Sequence, residues 1–125
     1  MEINDLTNEI IGAAIEVHKV LGPGLLESFY QDALLFELRS RGLNCQKEVA
    51  VPLIYKGVKL GEDKRIDILV ENQIVLELKS VQKIEEVHHL QILSYLRLSN
   101  LRYGLLINFN VPILKQGIYR KVNGY

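Results

Sequence analysis

Two apolar runs, Ile66-Asp67-Ile68-Leu69-Val70 and Ile74-Val75-Leu76-Glu77-Leu78-Lys79, carry three charges where a buried strand would carry none. An ionised group inside an apolar strand must find a partner or a metal, because water is no longer there to solvate it. Side chains alternate along a strand, so Ile66, Ile68 and Val70 are expected on one face, opposite Asp67 and Leu69. Ile74, Leu76 and Leu78 likewise oppose Val75, Glu77 and Lys79. Joined by a turn at Glu71-Asn72-Gln73, the strands bring Asp67, Glu77 and Lys79 onto one face. Two carboxylates and an ammonium so placed form a hard-oxygen site for Mg²⁺ or Mn²⁺, with the lysine facing an activated water or a phosphate. A half-exposed strand with a surface ion pair gives the same letters. The Glu-x-Lys tripeptide decides nothing alone, since chance predicts about 0.8 occurrences from this composition. A second copy, Glu62-Asp63-Lys64, stands in a polar, glycine-led turn where carboxylates are simply solvated.

Other candidates lie on helices. His88, Gln91 and Tyr95 follow a 3-then-4 spacing and line one helix face, with Leu90, Leu93 and Leu96 as an adjoining apolar stripe. Gln91 and Tyr95 are placed to contact a phosphate or to hold the Lys79 strand; a half-exposed helix edge has the same pattern. Glu27 and Tyr30 are three residues apart after Gly22-Pro23-Gly24, with Glu27 in a first helical turn where the dipole favours negative charge. His88 and His89 lack the His/Cys partners of a zinc site. His18 reads as a packing or polar-edge histidine, and Cys45 has no identifiable base partner.

The elements that must position these residues follow from periodicity. Ile10, Ile11, Ala14, Val17, Val20 and Leu21 have helical spacing, capped by Asn4 or Asp5 and stopped by Gly22-Pro23-Gly24. A second helix spans about Leu25 to Arg41 with Leu26, Phe29, Ala33, Leu34 and Leu38 inward, and Gly42-Leu43 closes it in a Schellman-type turn. Val49, Val51, Leu53 and Tyr55 alternate as a strand, Lys56-Gly57 is a hairpin turn, and Val58 to Leu60 begins the return. A third helix runs roughly from Glu85 to Asn100. Tyr103 to Phe109 reads as a strand buried on both faces, and Ile118, Tyr119 and Val122 as an edge strand. The order is α-α-β-β-β-α-β plus a tail, an α/β sheet flanked by helices.

At 125 residues the chain is one domain, and its single cysteine excludes a disulfide framework. No apolar run reaches the length of a membrane span, and the N-terminus lacks a secretory pattern, so a soluble cytoplasmic domain is expected. Fifteen bases balance fifteen acids. Residues 1–40 hold seven acids against two bases, whereas residues 87–125 hold no acid and five bases: Arg97, Arg102, Lys115, Arg120 and Lys121. On one face those five would steer a polyanion; otherwise they are solvated surface.

Gly24-Leu25-Leu26-Glu27-Ser28-Phe29-Tyr30 resembles the signature of the GxxExxY protein family. Asp67, Glu77-Leu78-Lys79, Gln91-Ile92-Leu93-Ser94-Tyr95-Leu96 and Gly104-Leu105-Leu106-Ile107-Asn108-Phe109 resemble the rest of its pattern, over nearly the whole chain. That family is similar to the PD-(D/E)XK nuclease superfamily. The resemblance implies a single PD-(D/E)XK-like domain over 1–125, with a restriction-endonuclease-like mixed β-sheet flanked by helices. It implies Asp67 and Glu77 as metal-binding carboxylates, Lys79 as the catalytic lysine, Glu27 as the acid supplied by the preceding helix and contributing to the metal directly or through water, and Gln91 and Tyr95 as the motif of the following helix. The expected function is Mg²⁺-dependent (or Mn²⁺-dependent) hydrolysis of DNA or RNA; the alternative is a non-catalytic module of the same fold that binds nucleic acid or a protein. Either function calls for a homodimer or a protein partner to supply substrate surface.

Overall fold

The computed structural model describes residues 1–61 and 64–124. Glu62 and Asp63 of the second Glu-x-Lys tripeptide lie outside the described residues, as does Tyr125. Helix α1 spans Ile3–Leu21. It begins before the expected Asn4 or Asp5 cap, with Glu2 at the N-cap position and no side-chain capping bond. Its buried face is Leu6, Ile10, Ala13, Ala14 and Val17, whereas Val20 and Leu21, expected inward, are exposed. Gly22 (φ 73°) ends it, its amide donating to the His18 carbonyl.

Helix α2 spans Glu27–Ser40 and buries Tyr30, Leu34, Leu35 and Leu38. Leu26 and Phe29, expected inward, are exposed. The spacing Tyr30-Leu34-Leu38 presents one row to the core, and Leu26 and Phe29 fall outside that row. Gly42 (φ 82°) and Leu43 close the helix with the expected Schellman pair, Gly42 N donating to Arg39 O at 3.0 Å and Leu43 N to Leu38 O at 3.1 Å.

Five strands, not three, lie between α2 and α3: β1 (Cys45–Ala50), β2 (Leu53–Tyr55), β3 (Val58–Leu60), β4 (Arg65–Val70) and β5 (Ile74–Lys79). The run expected as one strand through Val49 and Tyr55 divides at Val51-Pro52, where proline has no N–H to donate to a ladder. The hairpin turn at Lys56-Gly57 has positive φ at both residues (51° and 79°), the twist that suits a two-residue loop. Strands β2 and β3 form a separate two-stranded ribbon. Helix α3 (Glu86–Leu98), β6 (Tyr103–Asn108), a 3₁₀ turn and β7 (Ile118–Val122) complete the chain, with β7 at a sheet edge as expected. The main sheet has the order β1-β4-β5-β6-β7 and is mixed: β5 and β6 are parallel, the other pairs antiparallel. No helix among the described residues is long and apolar enough to cross a membrane.

Helices α1 and α2 cover one face through Ile68, Val70, Ile74, Leu76, Leu78, Leu105 and Ile107. Helix α3 covers the other through Ile66, Leu69, Val75 and Leu106. Ile66 therefore does not share a face with Ile68 and Val70, contrary to simple alternation. Strand β1 changes sides at the same row: Cys45 packs with the first cluster, Val49 and Val51 with the second. Glu48, between them, has a left-handed backbone (φ 54°), and the ladder rows on either side are Lys47↔Ile68 and Val49↔Ile66. The left-handed residue and the change of sides in both strands thus fall at the row that holds Asp67.

Tyr30 fastens the turn that launches α2. Its hydroxyl donates to the Gly22 carbonyl and accepts from the Leu25 amide at 3.1 Å, and its ring stacks on Phe109 with centroids 4.4 Å apart. Tyr30→Phe keeps the stacking and leaves the Leu25 amide and Gly22 carbonyl without that partner. Denaturant unfolding should show a loss of about 1–3 kcal/mol; an unchanged midpoint would show that water replaces the hydroxyl without cost.

Candidate active site

Pairing between β4 and β5 stops at Ile68↔Leu76, although both strands continue. Strand β4 stays with β1 as far as Arg65, and β5 stays with β6 as far as Lys79. The sheet therefore forks, and Asp67 and Glu77 are the first residues on either side of the fork. Their side chains replace the missing ladder. The Leu78 amide donates to Asp67 Oδ2 at 2.7 Å, and the Asp67 amide donates to Glu77 Oε1 at 3.3 Å.

Glu77 is only 5% exposed, and Asp67 is half-buried. Burial is the main cause of Glu77's raised pKa, followed by the neighbouring Asp67 charge; together they push it up to about 8. Asp67 rises to about 6, again mainly by burial, with the Leu78 amide opposing the rise and the Glu48 and Glu27 charges adding to it. Lys79 pulls both downward. Without an ion, both carboxyls are therefore pushed toward the protonated form, mainly by burial.

Lys79 follows Glu77 by two residues on the α3 side, and its Nζ donates to Gln91 Oε1 at 3.4 Å. Gln91 Nε2 in turn donates to the Tyr95 hydroxyl at 3.0 Å, and Tyr95 is anchored in the α3-side core. Glu27 stands at the start of α2, exposed, close enough for its charge to act on both carboxylates. The structure thus gathers Asp67, Glu77, Lys79, Gln91 and Tyr95 around the fork, with Glu27 at its margin. Among the described residues no three His, Cys, Asp or Glu side chains are close enough together to hold a metal ion.

Several neighbours carry no sequence motif. Gln31, Glu48 and Ser80 are linked to the fork or to the turn before α2: Ser80 Oγ donates to the Leu25 carbonyl, tying the end of β5 to that turn. Asn108, 2% exposed, accepts from the Val81 amide at 3.1 Å and donates to its carbonyl at 3.0 Å, fixing the chain where it leaves β5. Asn108 stands in the Gly104-Leu105-Leu106-Ile107-Asn108-Phe109 segment of the resemblance, as the polar residue that ends an apolar strand.

The remaining candidates take structural positions. His88 turns away from Gln91 and accepts the Glu85 amide at the α3 N-terminus, 2.9 Å away. Leu90 is exposed, and the apolar stripe of α3 is Ile92, Tyr95 and Leu96, with the expected Leu93 partly buried against the same core. His18 Nε2 is 2.7 Å from the Val111 carbonyl. Burial pushes the Cys45 thiol pKa up, which disfavours a nucleophilic thiolate. The five late bases do not form one patch: Lys115 and Arg120 line a cavity with Asn8 and Ile11 of α1, Arg120 and Lys121 line another with Asn4 and Thr7, Arg102 lies over the Tyr103 ring, and Arg97 is on α3.

A family model described as the PD-(D/E)XK nuclease superfamily matches residues 4–121. No curated protein and no solved structure matches the chain.

The raised carboxylates give a signed pH dependence. In the unfolded chain both groups lose their protons near pH 4, whereas the folded chain holds them to about 6 and about 8. Between those limits the folded state binds more protons, so ion-free stability falls as pH rises. Melting temperature should be higher at pH 5 than at pH 8, and Glu77→Gln should flatten that slope. A wild-type profile rising from pH 5 to 8 would contradict the paired burial.

Proposed function

Because the chain belongs to the PD-(D/E)XK nuclease superfamily, we propose that it is a Mg²⁺- or Mn²⁺-dependent phosphodiesterase that hydrolyses DNA or RNA. The observation that carries the reading is the Asp67–Glu77 pair in the strand fork, with Lys79 two residues on and turned toward Gln91. The donor set fits a hard divalent cation: both groups are carboxylates, both are pushed toward the protonated form by burial, and a bound cation reverses that penalty. Asp67 and Glu77 would hold the ion, with Glu27 contributing through water. When bound, a divalent ion polarises the scissile phosphate and lowers the pKa of a water.

This chain's own residues do the rest. The Lys79 ammonium donates to the attacking water or a phosphate oxygen and offsets charge that develops there. Gln91 accepts from Lys79 and so fixes the direction of the ammonium, while Tyr95 fixes the Gln91 amide. A second copy or a partner protein would extend the substrate surface. The cytoplasm is the compartment this reading assigns.

Variants at the two ends of the site separate binding from chemistry. Glu77→Gln keeps the shape and removes a ligand charge, so Mn²⁺ affinity should fall at least tenfold while ion-free stability at pH 8 stays equal or rises. Lys79→Ala should leave Mn²⁺ affinity within a few-fold and reduce cleavage of a labelled oligonucleotide by 10² or more. Calorimetry, melts with and without Mn²⁺, and cleavage assays with chelator controls read these outcomes. No Mn²⁺ shift in wild type, with both variants indistinguishable from it, would leave a non-catalytic module.

A further inference from the structure

Gln31 lies four residues beyond Glu27, so the two share one face of α2. Its single side-chain amide makes two bonds at the fork: Nε2 donates to the Asp67 carbonyl at 2.9 Å and to Glu48 Oε2 at 3.0 Å. The acceptors belong to different strands, β4 and β1, in the row where the paired strands turn over. Glu48 is held there in a left-handed backbone that a non-glycine residue rarely adopts, a conformation that persists only when its surroundings determine it. One planar amide satisfies both acceptors at few placements of the helix, so these bonds fix how α2 approaches β4.

We infer that Gln31 is a positioning residue that sets the distance of Glu27 from the Asp67–Glu77 pair, with Glu48 as its anchor. The inference rests on the metal-dependent reading above and adds two residues to it. Helix α2 is then fastened on two sides of its first turns: Tyr30 binds the preceding turn, and Gln31 binds the fork. The helix backbone carries the effect from Gln31 to Glu27.

Mn²⁺ titration calorimetry on the full chain tests this with Gln31→Ala, Gln31→Glu, Glu27→Gln and the double variant Glu27→Gln/Gln31→Ala. Gln31→Ala should weaken Mn²⁺ binding roughly tenfold, equivalent to about 1.4 kcal/mol. Gln31→Glu keeps the shape but offers an acceptor to two acceptors, and should lose as much. In the Glu27→Gln background, adding Gln31→Ala should cost nothing further, because the group it positions is gone. An equal loss in both backgrounds would mean a general structural contact and overturn the inference. Wild-type binding with Gln31→Ala and Gln31→Glu unchanged would overturn it too, leaving the metal reading intact. A wild type that takes up no Mn²⁺ would remove both.

Discussion

Where β4 and β5 part below Ile68 and Leu76, backbone groups lose their ladder partners in the interior of the sheet. Buried amides must be satisfied, and here two carboxylates do it: Asp67 accepts the Leu78 amide, and Glu77 accepts the Asp67 amide. The same exchange brings two acids together in a poorly solvated gap, where burial first and then neighbouring charge pushes both toward the protonated form. Fold and site thus share one constraint. The sheet remains open at the fork because side chains close its hydrogen bonds, and the electrostatic strain of that arrangement is what a cation would relieve.

Each helix layer contributes a polar connection to the fork within a largely apolar interface. On one side, α3 packs Ile92, Tyr95 and Leu96 against Val75 and Leu106 and carries Gln91 to the Lys79 ammonium. On the other, α2 packs Leu34 and Leu38 into the larger core and carries Gln31 to β1 and β4. Tyr30 joins the two kinds of contact, with its ring in the core against Phe109 and its hydroxyl on the turn before α2. Core packing sets the helix positions coarsely, and these few directional bonds set them to the precision that chemistry at Lys79 would require.

Charge acts through placement here and not through total. The chain is neutral, and the late bases do not form one patch. At the fork, Glu27 and Glu48 act on Asp67 from separate elements, and Lys79 opposes them. Exposed apolar side chains on the β2–β3 ribbon, among them Ile54, Tyr55 and Val58, lie outside both cores.

Much of this was legible in the residues themselves. Charges inside apolar runs marked Asp67, Glu77 and Lys79, since alternation and the cost of burying charge act on any strand pair. The i, i+4 spacing joined Gln91 to Tyr95, and the resemblance of the motifs to a nuclease family placed Glu27 with them. What local pattern could not supply was register. Counting back from the Lys56-Gly57 turn, the ribbon pairs Leu53 with Leu60, a register that would set Glu48 opposite Arg65; the β1–β4 ladder pairs Val49 with Ile66, which sets Glu48 opposite Asp67. That two-residue offset, the left-handed backbone at Glu48 and the face change of Ile66 depend on how β1 and β4 leave β5 together. Single-residue propensities and period-two alternation hold no information about a partner strand that departs, so the Gln31–Glu48 link and the fork itself were decided by tertiary packing alone.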